Sequence, residues 1–199
     1  MVLKETADRE NDGVKGLRLR PMDHSDGDTV CRWMTSSYIL QHSFVVAGPH
    51  SRPYDFATRE YAMRYFRRLL GEKRRLTFAI TFDGGIIGSI GLKEISALTN
   101  SAECFIEIGE PKWRGCGLGT EAMAQLLDKG FHHLALERID LEVLEFNFPA
   151  IKMYHYLGFI SLGHGNWHYD EFGQYWSVLR MSLSKDMWQA SLRQRNLAS

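Results

Sequence analysis

The chain has 199 residues, 44% of them hydrophobic and 24% charged, and its 24 basic and 24 acidic side chains leave a formal net charge of zero. That length and balance suit one globular domain with a proper core. They give no basic excess with which to grip nucleic acid, and no apolar run approaches the roughly 20 residues needed to span a bilayer.

Residues 1–15 are polar, without periodicity and without the apolar centre of a signal peptide, and read as a loose tail. Residues 16–22 alternate apolar and basic side chains, as a strand ended by Pro21 would. Residues 23–34 read as a short helix with Val30, Trp33 and Met34 on one side. Residues 35–53 have no clear period but carry Tyr38, His42, Phe44 and His50. Residues 54–70 read as a helix with Ala62, Phe66, Leu69 and Leu70 on one face and Arg64, Arg67 and Arg68 toward water, stopped by Gly71. Two apolar runs, 76–82 and 86–95, flank Asp83-Gly84-Gly85, a hairpin signal. A polar loop leads to a third strand, 102–108, broken at Glu110-Pro111.

Arg114-Gly115-Cys116-Gly117-Leu118-Gly119 follows, and then a helical pattern in which Leu118, Ala122, Met123, Leu126, Leu127, Gly130, Phe131 and Leu134 make one buried stripe. Residues 138–144 alternate charged and apolar side chains as a strand. Residues 147–158 read as a helix with Asn147 as N-cap, Pro149 in the first turn and Gly158 as the stop. Strands over 159–162 and 175–183 are separated by a polar loop, 163–173, and residues 184–196 read as a helix. The chain thus divides into a tail, 1–15, one domain, 16–183, and a helical extension, 184–199. Cys31, Cys104 and Cys116 are odd in number and widely spaced, which reads as reduced thiols of a cytoplasmic protein.

Three glycines between a strand end and a helix start are a candidate anion site. Without Cβ atoms the backbone turns tightly and admits a ligand close to its N–H groups. The helix start adds unsatisfied N–H groups and a positive dipole end. No Lys-Ser or Lys-Thr follows, which excludes the Walker loop. The spacing is GxGxG rather than GxGxxG, which argues against the dinucleotide fingerprint. A plain turn is the alternative.

Arg114-x-x-Gly117-x-Gly119, placed between a strand and a long helix and continued by Thr120-Glu121-Ala122, resembles the acetyl-CoA signature of the GNAT superfamily of acyl-CoA-dependent N-acyltransferases. Leu17-Arg18-Leu19-Arg20-Pro21, Gly88-Ser89-Ile90-Gly91-Leu92 and Asn147-x-x-Ala150-x-x-x-Tyr154-x-x-x-Gly158-Phe159 also resemble that family, in its order and spacing, over about residues 16–183. Within the family the chain resembles the branch of ribosomal-protein N-terminal, spermidine and aminoglycoside acetyltransferases, the ribosomal-protein enzymes first.

The resemblance implies an α/β (α+β) fold, a mixed, mostly antiparallel seven-stranded sheet flanked by helices, in which the parallel strands 102–108 and 138–144 splay apart. It implies acetyl-CoA as co-substrate and no metal. The pantetheine arm would lie in the splay against the backbone of residues 107–109, with Ile108, Gly109 and Asn147 contacting it. The pyrophosphate would sit on Gly115, Cys116, Gly117, Leu118, Gly119 and Thr120, helped by Arg114. An amine would attack the thioester directly, Tyr154 would protonate the leaving thiolate, and Glu107 or, less well placed, Glu103 would serve as base. For Tyr154 the alternative is a core tyrosine, for the glutamates a solvated or ion-paired surface carboxylate, and for Cys116 a small filler. His164, His168, Asp170 and Glu171 look like a metal set on paper, but the chemistry needs none; their loop, with Tyr38, His42, Phe44 and Tyr61, would instead border the acceptor site.

The acceptor expected is a primary amine, a peptide or protein N-terminus ahead of a polyamine or aminoglycoside. Residues 35–53 lack the dense carboxylates a polycation would want, and an α-amine near pKa 7.8 is about a third neutral at pH 7.4, against about one part in 10³ for a lysine-like amine. A non-catalytic acyl-CoA-binding module is the competing reading. A homodimer is compatible with either; nucleic acid and membrane are not expected partners.

Overall fold

The computed structural model describes residues 16–36, 58–169 and 175–198. Seven strands form one sheet: β1 (Arg18–Pro21), β2 (Leu76–Phe82), β3 (Gly85–Ser96), β4 (Ser101–Ile108), β5 (Arg138–Leu144), β6 (Ile160–Tyr169) and β7 (Tyr175–Ser184). Their spatial order is β1-β2-β3-β4-β5-β7-β6, and every neighbouring pair is antiparallel except β4–β5. The helices are α1 (Gly27–Met34), α2 (Arg59–Gly71), α3 (Leu118–Asp128), α4 (Phe148–Leu157) and α5 (Lys185–Ala198).

Asp83 and Gly84, both at positive φ (51° and 74°), make the tight β2–β3 turn that the Asp-Gly pair predicts. β4 and β5 run parallel because α3 crosses over between them. The apolar stripe of α3 packs on the sheet face carrying Ile90, Leu92, Cys104, Ile139 and Met181, with Tyr154 and Leu157 of α4 and Trp188 of α5 in the same cluster. A smaller cluster covers the opposite face, where Val30, Trp33 and Met34 of α1 and Ala62 and Phe66 of α2 meet Ala79.

Several boundaries differ from the sequence expectation. The first helix is two pieces, a 3-10 turn (His24–Asp26) capped by Asp23 and then α1. The Thr58 side chain caps α2, which starts at Arg59. α3 ends at Asp128 and continues as a π-helical turn over Lys129–His133. The expected loop 163–173 is for most of its length strand: β6 runs on to Tyr169. Its ladder with β7 shifts register twice, between Ser161 and Gly163 and between His164 and Trp167, and these irregularities erase the alternation by which a strand is read. The tail 1–15 and Tyr38, His42, Phe44 and His50 lie outside the described residues.

Candidate active site

β4 and β5 pair only at their beginnings. Ser101 lies opposite Arg138, Ala102 opposite Ile139 and Glu103 opposite Asp140, and there the ladder stops. β4 nevertheless follows β3 to the Gly88–Ile108 pair, and β5 follows β7 to the Leu144–Val178 pair. The sheet is therefore two halves that share three registers and then diverge. On the β5 side, the backbone of residues 104–108 has no strand partner among the described residues. Such an open strand edge accepts an extended chain bearing its own amides.

The glycine loop lies at the open end of this gap. After β4, a 3-10 turn (Pro111–Trp113) leads to Gly115 and Gly117, both at positive φ (72° and 80°). A Cβ on either would meet nothing within 4 Å, so the loop exposes bare backbone. Gly117 is the N-cap of α3, and no side chain caps the helix. The first backbone bond of the helix runs from Glu121 N to Gly117 O (3.1 Å), which leaves the N–H groups of Leu118, Gly119 and Thr120 without intrahelical acceptors. By contrast, the side chains of Thr58 and Asn147 cap α2 and α4. An uncapped start behind left-handed glycines is where an anion is best received.

Arg114, which the resemblance implies helps hold the pyrophosphate, is tied to the end of β4. Its Nε donates to Ile108 O at 2.8 Å and its Nη2 to Gly109 O at 3.0 Å, so it braces the loop against the end of β4. Cys116 is exposed, with long sulfur contacts to Arg114 O (3.5 Å) and Lys112 O (3.8 Å). Gly109 is packed from above: a Cβ there would lie 2.1 Å from the Trp33 ring. The Trp33 indole N–H donates to Glu110 Oε1 at 2.9 Å and Arg32 donates to the same oxygen at 2.5 Å. These two bonds hold the Glu110 carboxyl below the ordinary range and tie α1 to the strand end.

Tyr154 is on α4, 6% exposed, with its ring edge-on to Phe159 at 5.6 Å. Burial, and then the nearby Cys104 thiol, push its phenol far above the usual value. At neutral pH it is protonated, and its O–H is there to donate. Asn147 Oδ1 accepts from Ala150 N at 3.3 Å, the cap its position predicts.

The candidate carboxylates occupy the sheet face on which α1 and α2 pack. Glu103 sits at the last β4–β5 pair and is ion-paired with Lys93 at 2.5 Å. Glu107, one pleat from the strand end, lines a small cavity beneath α1 and α2. Glu142 of β5, which the sequence does not single out, lies on the same face; burial first, and the charge of Glu103 second, raise its carboxyl above the ordinary value. Its signal was present in the alternation of residues 138–144, but alternation alone cannot tell a solvated face from one that lines a cleft. His164 pairs with Glu145 and Ser177; the side chains of His168, Asp170 and Glu171 lie outside the description. Among the described residues no group of three or more His, Cys, Asp or Glu is placed to hold a metal, and no helix is long and apolar enough to cross a membrane.

A family model for an acetyltransferase (GNAT) domain matches residues 16–160. A spermidine N(1)-acetyltransferase of Escherichia coli K12 is 29% identical over 174 residues, covering 87% of this chain and 89% of that protein. An uncharacterized N-acetyltransferase, p20, of Bacillus licheniformis is 27% identical over 150 residues, 74% of this chain and 80% of that protein. Among solved structures, a spermidine N-acetyltransferase from Vibrio cholerae in complex with CoA and spermine superposes with a TM-score of 0.73 at 23% identity, covering 88% of this chain and 99% of that one. The expected leaning toward ribosomal-protein enzymes is not what these relatives show; two of the three are named for spermidine.

Proposed function

The chain belongs to the acetyltransferase (GNAT) family, is an N-acetyltransferase and uses acetyl-CoA as co-substrate; from that premise we propose that it acetylates a small-molecule primary amine at the β4–β5 gap. The observation that carries this placement is the end of the β4–β5 ladder at Glu103–Asp140 beside an uncapped, glycine-started helix. The open β4 edge takes the amides of the pantetheine arm, and the N–H groups at the start of α3 take the pyrophosphate. Both would hold the thioester between Tyr154 on one side of the sheet and Glu107 and Glu142 on the other. Most of the acceleration then comes from presenting the amine in line.

Tyr154, kept protonated by burial, donates to the leaving sulfur. A carboxylate on the acceptor side takes the proton from the attacking nitrogen. Glu107 is placed at the strand end, and Glu142 has the raised carboxyl that suits a base working nearer neutrality. Arg114 acts through the backbone it braces, and Glu103, neutralised by Lys93, anchors the closed end of the gap.

For the acceptor, the relatives put polyamines ahead of the peptide N-terminus expected from sequence. The test is thiol release from acetyl-CoA with spermidine, spermine, an amino sugar and short N-terminal peptides. Release with a small amine supports the reading. Release with peptides alone would return the acceptor to the sequence expectation, and acetyl-CoA binding without release in any arm would leave only an acyl-CoA-binding module.

A further inference from the structure

The backbone just past β4 is held by a contact that takes no part in the proton transfers. Gly109 is buried and its φ lies outside the left-handed range, so its conformation does not call for glycine. What calls for it is α1. A Cβ on Gly109 would lie 2.1, 2.4 and 2.5 Å from three ring atoms of Trp33, so the indole face rests directly on the Gly109 backbone. Trp33 is 2% exposed and packs with Ala62 and Phe66 in the cluster that α1 and α2 share. Its ring is oriented by a polar bond, the indole N–H to Glu110 Oε1 at 2.9 Å, and Arg32 holds the same oxygen at 2.5 Å. Glu110 is fixed in turn by its own N–H, which donates to Ile87 O at 3.1 Å.

The strand end needs such a support. Residues 104–108 of β4 have no strand partner on the β5 side among the described residues, so strand pairing positions them from β3 alone. A strand held along one edge can shift out of the sheet plane, and an extended ligand on its free edge loses hydrogen-bond geometry with that shift. Arg114 restrains the carbonyls of Ile108 and Gly109 from the loop. Trp33 restrains the same backbone from α1 and cannot give way without opening the cluster behind it. The alternative is a core tryptophan, whose replacement would act on stability alone.

We propose that Trp33 is a positioning residue for the acetyl donor: its indole, locked by Glu110, sets the Ile108–Gly109 backbone where the open β4 edge receives the pantetheine arm. The proposal rests on the placement of acetyl-CoA in the β4–β5 gap. It gives α1, otherwise an element of the acceptor side, a part in holding the donor. The effect falls on the arm, because the backbone that Trp33 sets is the backbone that receives the arm.

Calorimetric titration with CoA and with 3′-phosphoadenosine 5′-diphosphate, the nucleotide of CoA without its arm, tests this. Trp33→Phe keeps an aromatic filler and loses the N–H. Glu110→Ala removes the acceptor and leaves Trp33 whole, so the test stands even if Trp33→Phe does not fold. Each should weaken CoA roughly 2–13-fold for every amide bond of the arm that is lost, and leave the nucleotide's affinity unchanged. Glu110→Gln keeps an oxygen for the indole N–H but gives up the charge that Arg32 binds. It should lose stability at pH 7 yet retain the parent's affinity for CoA, a pattern that general loosening of the fold would not give. Equal weakening of CoA and nucleotide, unchanged CoA affinity in either folded variant, or a loss in Glu110→Gln as large as in Glu110→Ala would overturn the positioning role and return Trp33 to the core. A parent protein that binds CoA no more tightly than the nucleotide would show that the arm is not held in the gap, which overturns the donor placement and the proposal with it.

Discussion

Gly117→Ala separates the backbone cost of the glycine loop from its proposed role as a phosphate seat. Gly117 has φ 80°, and a Cβ there meets no atom within 4 Å. The protein itself would therefore register only the left-handed backbone, about 1–2 kcal/mol for a residue with a Cβ, or roughly 2–8 °C in Tm at this size. Any further loss belongs to the ligand. A methyl that holds a phosphate oxygen off even one backbone N–H forfeits a hydrogen bond to a charged group, about 1.5–3 kcal/mol, and so roughly 10–150-fold in affinity. Gly84→Ala is the matched control: φ is 74° and the Cβ again meets nothing, but the residue lies in the β2–β3 turn. Thermal unfolding of both variants should show similar losses, while calorimetric titration with CoA should show weakened binding in Gly117→Ala alone. If the two variants bind CoA equally well, the phosphate is not seated on this loop and the placement of acetyl-CoA fails with it.

Three further perturbations probe the chemistry and its supports. Tyr154→Phe should lower kcat roughly 10²-fold with little change in CoA affinity; an unchanged kcat in a folded variant would make Tyr154 a core residue. The raised carboxyl of Glu142 means the folded chain holds that proton more tightly than the unfolded chain, so this group subtracts stability as pH rises from the ordinary glutamate value through the raised one. Glu142→Gln should therefore be more stable than the parent toward urea at pH 7 but not at pH 4, and as a lost base it should also shift the acidic limb of the rate profile; parallel stability curves at both pH values would contradict the assignment. Glu110 is the opposite case, its carboxyl held down by Arg32 and Trp33, so its stabilisation is present above the ordinary carboxylate range and fades as pH falls through the lowered value. Glu110→Gln should cost stability at pH 7 and little at pH 3, measured by chemical denaturation across that range, and a loss that persisted unchanged at pH 3 would show that the ion pair is not its source.

What the sequence alone made legible follows the range over which each feature is encoded. The α3 stripe, the Asp83-Gly84 turn, the β5 alternation and the Asn147 cap are short-range patterns, and each appears in the fold where its spacing put it. β6 was cut short because two register shifts break its period. The gap between β4 and β5 was legible only through family resemblance: nothing in Cys104–Ile108 differs in kind from Ser101–Glu103, and the ladder ends because each strand follows a different neighbour. The bonds of Arg114 to Ile108 O and Gly109 O were not legible for a related reason, since a basic residue beside a phosphate loop can satisfy the nearest carbonyls as well as a ligand, and only packing decides.

This difference of range also divides the site itself. The proposed seat of acetyl-CoA is built from residues 107–120 and an adjoining strand edge, close enough in sequence for local chemistry to announce it. The proposed acceptor side is assembled from α1, α2, β4 and β5, and its features are relations between distant residues, such as Trp33 on Gly109 and Lys93 on Glu103. Unmatched atoms such as Arg75 Nη1 and Thr77 Oγ1 have no sequence signal, because being unmatched is a property of the packed state. A sequence in this family therefore announces its co-substrate well and its acceptor poorly. The acceptor must instead be read from the charges and hydrogen-bonding groups that packing leaves facing the gap, and those are the groups that a panel of amines interrogates.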